Sequence, residues 1–176
     1  DEECQPLEPV HLEVSANTEV RSLHVVGPSQ RLIGEPFRIK VALMDEGGNA
    51  VGSASRTLTF ENDDANVTMN TEESHTMSPP DEGWHDFGLT IYEPGVYRFE
   101  VDAGAGLKGR SNPIEILSEE PEFYTWWGDI HVHHGYTWTD ADGFSQDINH
   151  SYARDVVGLD VVAESIKADG VEIDGD

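Results

Sequence analysis

Gly34-Glu35-Pro36-Phe37-Arg38-Ile39-Lys40-Val41-Ala42-Leu43-Met44, running into Asp45-Glu46-Gly47-Gly48-Asn49, is the stretch that decides the fold. Phe37, Ile39, Val41 and Leu43 recur every second residue with Arg38 and Lys40 between them. Side chains of a strand alternate between its faces, so this spacing predicts a strand with one face buried and one wet. The Asp-Glu-Gly-Gly-Asn run that follows has turn chemistry and predicts a hairpin between two strands. The same period continues outward in both directions. Val10, Leu12 and Val14 carry it upstream; Leu58 and Phe60, Leu89 and Ile91, residues 96–101, and Ile114 and Ile116 carry it downstream. No helical period precedes residue 145. Many short strands at such spacing make an antiparallel sandwich or a barrel.

Glu93-Pro94-Gly95-Val96-Tyr97 favours the sandwich. A tyrosine entering a strand after such a turn can bond its phenol back to upstream backbone, the tyrosine corner of Ig-like domains. The plainer reading of Tyr97 is a β-former within its strand. Residues 9–117 are therefore expected to form an Ig-like antiparallel β-sandwich that buries Phe37, Ile39, Val41, Tyr97, Phe99 and Val101. The acidic residues 61–82, with Pro79-Pro80, read as a long turn or mobile loop, and residues 104–109 as a hairpin tip.

Composition narrows the function classes. The 176 residues carry 35 Asp and Glu against 10 Lys and Arg, a formal charge of −25. Phosphate backbones need a basic surface, so nucleic acid is excluded as a partner. No apolar run is long enough for a membrane span. Cys4 is the single cysteine and no internal disulfide can form. An acidic surface suits a chain that collects divalent cations.

Residues 118–122, Ser-Glu-Glu-Pro-Glu, read as a linker, and the pattern changes after them. Residues 123–133 are expected to be an aromatic-rich strand. Residues 145–157 are expected to be a helix, capped by Ser145, with Ile148, Tyr152, Val156 and Val157 as its apolar stripe and Gly158 as its stop. Residues 159–163 are a continuous apolar run, the pattern of a fully buried parallel strand. The fold class is thus mainly β, with a short βαβ segment after the sandwich.

Chemistry concentrates in Trp127-Gly128-Asp129-Ile130-His131-Val132-His133-His134. On a strand His131 and His133 share a face, and two imidazoles at a strand's carboxyl end are a common start for a metal site. Two histidines on a wet strand face would look the same. An acidic loop, Asp140-Ala141-Asp142-Gly143, follows. It does not meet the twelve-position calcium-loop pattern, although calcium at acidic loops stays open.

The run W-G-D-I-H-V-H, the acidic loop, and then Y-A-R-D-V-V-G-L-D-V-V-A resemble the start of the PHP (polymerase and histidinol phosphatase) superfamily, nearest its DUF3604 branch of exported proteins. Ser111-Asn112-Pro113-Ile114 resembles the end of the β-rich segment those proteins carry ahead of the PHP domain. The resemblance implies the opening of a distorted (β/α) barrel that holds manganese, iron or zinc for phosphoester hydrolysis. It makes His131 and His133 metal ligands, with the next carboxylate at Asp140 or Asp142. It gives Asp129 the role of orienting a ligand histidine, a purely structural carboxylate being the other reading. It also implies export to an extracellular or periplasmic location.

The chain departs from that family after Ala163. A Thr-Asp-His motif belongs there, and Glu164-Ser165-Ile166-Lys167 stands in its place. The expectation is a truncated PHP-type domain, partial over residues 123–176, without turnover of its own. Its apolar faces would need self-association, or the missing remainder of the barrel, to cover them. The alternative is an extracellular structural or adhesive protein that forms a fibre by strand addition, with divalent cations at its acidic loops.

Overall fold

The computed structural model describes residues 17–132 and 146–164. The expected first strand of Val10, Leu12 and Val14 lies outside those residues, as do Ser145, His133, Asp140 and Asp142.

The chain runs through β1 (Ser22–Val26), β2 (Gln30–Leu32), β3 (Pro36–Met44), β4 (Arg56–Glu61), β5 (Val67–Met69) and β6 (Ser74–Met77). It continues through β7 (Trp84–Ile91), β8 (Gly95–Tyr97), β9 (Glu100–Asp102), β10 (Lys108–Arg110) and β11 (Ile114–Leu117). One sheet has the order β1-β3-β7-β5 and the opposing sheet β10-β9-β4-β6. A third, β2-β11-β8, contains a parallel pair, β2 with β11.

The period-two reading of β3 holds. Phe37, Ile39, Val41 and Leu43 are buried, and in register with β7 Ile39 lies opposite Phe87 and Phe37 opposite Leu89. Phe60 of β4 joins the sheets, its ring centroid 5.4 Å from Phe87 and 5.2 Å from Phe99. Burying one such ring contributes roughly 1.5–3 kcal/mol. The tyrosine corner forms as well: the Tyr97 hydroxyl donates to the Glu93 carbonyl at 2.9 Å. Tyr97 itself is half-buried, its ring stacked beside Phe99.

Other expectations are corrected. The 45–49 turn reverses the chain, and the Asp45 carboxylate accepts the Asn49 N–H at 2.8 Å. That N–H, ahead of the other donors of the turn, holds Asp45 below the usual carboxylate range. Ala50 makes only an isolated bridge to Met44, and β4 crosses to the other sheet, so the turn does not join paired strands. Residues 61–82 are not one loop. They hold β5, β6 and a single 3-10 turn, Pro79–Asp81, with Val67 and Met77 buried. Strands of three and four residues show too few alternations to be read from sequence.

After residue 122 the chain forms β12 (Gly128–Val132), a helix and β13 (Val161–Glu164). β12 and β13 pair in parallel, Gly128 opposite Val161 and Asp129 opposite Val162, so the βαβ unit is present. Its details differ from expectation. The strand occupies only the second half of residues 123–133. The helix is α from Gln146–Ser151 and then π-helical from Tyr152–Val157. Gly158 ends it with φ +77°, the left-handed stop expected of it. Widening the helix there breaks the i, i+4 stripe: Val156 is buried, whereas Ile148 and Tyr152 are exposed. β13 is not the fully buried strand expected, since Val161 is 48% exposed, and Ile130 of β12 is 81% exposed. Among the described residues this sheet has two strands, and its faces are in part uncovered.

Candidate functional site

The β12–β13 pair is held against the sandwich at several points. The Thr125 N–H donates to Gln30 Oε1 at 2.9 Å, and the Trp127 indole N–H bonds the Ser29 hydroxyl. The Trp127 backbone N–H donates to Asp160 Oδ2 at 2.9 Å, and the Asp160 N–H returns to the Trp127 carbonyl at 2.8 Å. Asp160, just ahead of β13, thereby ties the two strand entrances together. The helix lies on the outer face of β1 and β3. There Ala42 is 1% exposed although it points away from the core, and His24 Nε2–H donates to the Val157 carbonyl at 3.0 Å.

Lys40 is the polar centre of that contact. Its ammonium lies 3.2 Å from Asp86 Oδ1, 4.0 Å from Asp155 Oδ1 and 5.1 Å from the centre of the Trp84 ring. Asp155 also pairs with the Arg154 guanidinium at 2.6 Å, and that hydrogen bond keeps Asp155 below its ordinary value.

Of the five residues expected in the metal site, two are described. Asp129 and His131 stand two apart on β12, Asp129 near its amino end and His131 near its carboxyl end, both exposed. Asp129 Oδ1 accepts the His131 backbone N–H at 2.9 Å, so it fixes the strand at His131 through the main chain. The ladder register shifts between Asp129 and Val132, a bulge of the kind that re-aims side chains. Glu164 lies opposite Val132 in that register. Among the described residues no group of three or more His, Cys, Asp or Glu is arranged to hold a metal ion. An imidazole with carboxylates is nonetheless the donor chemistry that suits manganese, iron or zinc.

A second set of titratable groups was not expected from sequence. His75 of β6 and His85 of β7 stack between the two sheets, ring centroids 3.7 Å apart and planes within 2°. Asp81 Oδ1 lies 3.4 Å from His75 Nε2. Asp81 is held below the usual carboxylate range first by the Ser78 backbone N–H, which donates at 2.7 Å, then by the Ser78 hydroxyl and His75. Burial pushes the His85 imidazole below its ordinary value, and His75 adds to the effect. Parallel ring planes do not converge their nitrogens on one point, so the stack is a packing contact. Nothing short of the fold would reveal it, because the two histidines come from separate sheets.

No protein-family profile matches the chain, and no curated protein does. Solved structures do. The S-layer protein SbsC is similar over 62% of this chain and 14% of its own, at 15% identity and a TM-score of 0.43. A β-glycosidase from Bacteroides vulgatus is similar over 55% of this chain and 14% of its own, at 17% identity and a TM-score of 0.47. The sulfur carrier protein SoxY from Chlorobium limicola is similar over 55% of this chain and 79% of its own, at 12% identity and a TM-score of 0.33. The chain therefore spans about one seventh of the length of the first two. No helix of the described residues is long and apolar enough to cross a membrane.

Proposed function

We propose that this chain is part of an exported, divalent-metal-binding protein related to PHP-type phosphoesterases, its sandwich serving as the platform for the first βαβ unit. One observation supports this above others. β12 and β13 run parallel around a helix, with His131 at the carboxyl end of β12, the end at which open α/β sheets bind their ligands. His131 and His133, with Asp140 or Asp142, would hold manganese, iron or zinc. The bound metal would polarise a phosphoryl oxygen and acidify a water. Asp129 would keep the His131 backbone in place. The chain has no phosphoesterase turnover in this form, because Glu164-Ser165-Ile166-Lys167 stands where a second ligand pair would be needed. The location is extracellular or periplasmic, where an acidic surface is common.

Metal content after exhaustive dialysis tests the reading, comparing the parent with the His131→Ala/His133→Ala double variant. Parent protein should retain manganese, iron or zinc, and the variant should lose it. Equal content in both would reject the ligand assignment. Metal-dependent hydrolysis of aryl phosphates by the same sample would reject the absence of turnover.

A further inference from the structure

Where the helix lies against the sandwich, a cavity of about 680 Å³ opens between them. That is within the size range of small-molecule sites. Its lining includes the aromatic rings of Trp84 and Tyr152 and the carboxylates of Glu82 and Asp147, with Asp155, already paired with Arg154 and Lys40, at its border and no Lys or Arg among the described lining residues. The acids come from two parts of the chain: Glu82 from just after the 3-10 turn, and Asp147 and Asp155 from the α and π-helical parts of one helix.

We propose that this groove binds an organic ammonium ligand of the polyamine class. Ionised carboxylates only accept hydrogen bonds, so the complementary ligand is rich in donors. Indole and phenol faces attract an ammonium and pack against methylenes, which an aliphatic polyamine supplies in alternation. The chain already holds one ammonium of its own in this manner beside the groove. Lys40 sits over Trp84 with Asp86 and Asp155 as its carboxylate partners. A saccharide fits the lining less well, because it also needs donors and the Ser151 and Tyr152 hydroxyls are the main ones present. A bare divalent cation would use the carboxylates but gain little from the two rings. The proposal is independent of the metal reading, since neither His131 nor Asp129 lines the groove.

Titration calorimetry with spermidine at fixed ionic strength tests the idea, with magnesium and maltose as comparison ligands. A chain of charge −25 gathers cations diffusely, so the variants carry the decision. Glu82→Gln/Asp147→Asn should weaken spermidine binding by at least about fivefold, and Tyr152→Leu by at least about threefold. Tyr152 is exposed, so its loss leaves the fold intact, unlike that of the half-buried Trp84. Glu119→Gln/Glu120→Gln, the same charge change in residues 118–122, should stay within about twofold of the parent. Equal weakening by both double variants would show diffuse attraction and overturn the proposal. So would saturable maltose binding with no spermidine response, or magnesium binding with the same variant pattern and no effect of Tyr152→Leu. Absence of saturable spermidine binding would overturn it outright.

Discussion

Gly158→Ala is the substitution that tests how the βαβ unit is held to the sandwich. Two separate costs arise at this position. The backbone has φ +77°, a conformation that an L-residue with a Cβ adopts at a cost of about 1–2 kcal/mol. A Cβ built there would also lie 2.5 Å from Cγ1 of Val26 in β1. Val26 is β-branched and stiff at χ1, so relief requires the strand or the helix end to shift, at a cost of about 1–3 kcal/mol. The sum is about 2–5 kcal/mol, directed at the junction rather than at the core. Urea denaturation followed by tryptophan fluorescence gives the total, and hydrogen exchange over residues 146–164 shows where it falls. Val26→Ala separates the terms. Combined with Gly158→Ala it should recover the steric part, a favourable coupling of about 1–3 kcal/mol, and leave the backbone part unrelieved. A Gly158→Ala protein within about 0.5 kcal/mol of the parent would refute the argument, as would zero coupling to Val26→Ala.

Phe60→Ala removes the ring that contacts Phe87 of the opposing sheet and Phe99 beside its own, and should destabilise the sandwich by about 3–5 kcal/mol in urea denaturation. Tyr97→Phe removes only the bond to the Glu93 carbonyl and should cost about 0.5–1.5 kcal/mol, with the near-ultraviolet dichroism of the core preserved. The half-buried imidazole of His85 makes stability depend on pH. Its value in the fold is below the ordinary 6.5, so around that pH the unfolded chain binds more protons. The contribution is complete above 6.5 and is lost as pH falls through it toward the lower folded value. His85→Phe should flatten that part of the stability profile and leave the loss below the carboxylate range, to which Asp45 and Asp81 contribute, unchanged.

How much was legible from sequence depends on how far each interaction reaches. Phe37, Ile39, Val41 and Leu43 announce their strand because burial and alternation are both local, and Tyr97 announces its corner because its acceptor is four residues away. Gly158 could be read as a stop for the same reason. The assignment of β3 and β4 to different sheets could not, since alternation reports which face is buried and not which neighbour pairs. β5 and β6 escaped because three or four residues hold at most two inward positions. In the candidate site the H-x-H spacing marked His131. Asp160, Trp127 and Lys40 carried no such mark, because each acts on a partner more than thirty residues distant.

Those three residues bear on what the sandwich does. If the helix merely followed a linker, its orientation would be free, and little of the sandwich's outer surface would be adapted to it. Instead Ala42 and Val156 exclude water at the contact, and Lys40 is enclosed by Asp86, Asp155 and the Trp84 ring. Bonds from Gln30 and Ser29 fix the entrance to β12, and His24 fixes the end of the helix before β13. The entrance to β12 and the end of the helix are thus both tied to the sandwich, which restricts how β12 can turn. His131 stands four residues beyond Trp127, so the bonds from Ser29 and Gln30 help to set its position along with its own sheet. A small α/β unit with exposed faces gains through such anchoring a fixed geometry, which the metal site proposed above would require.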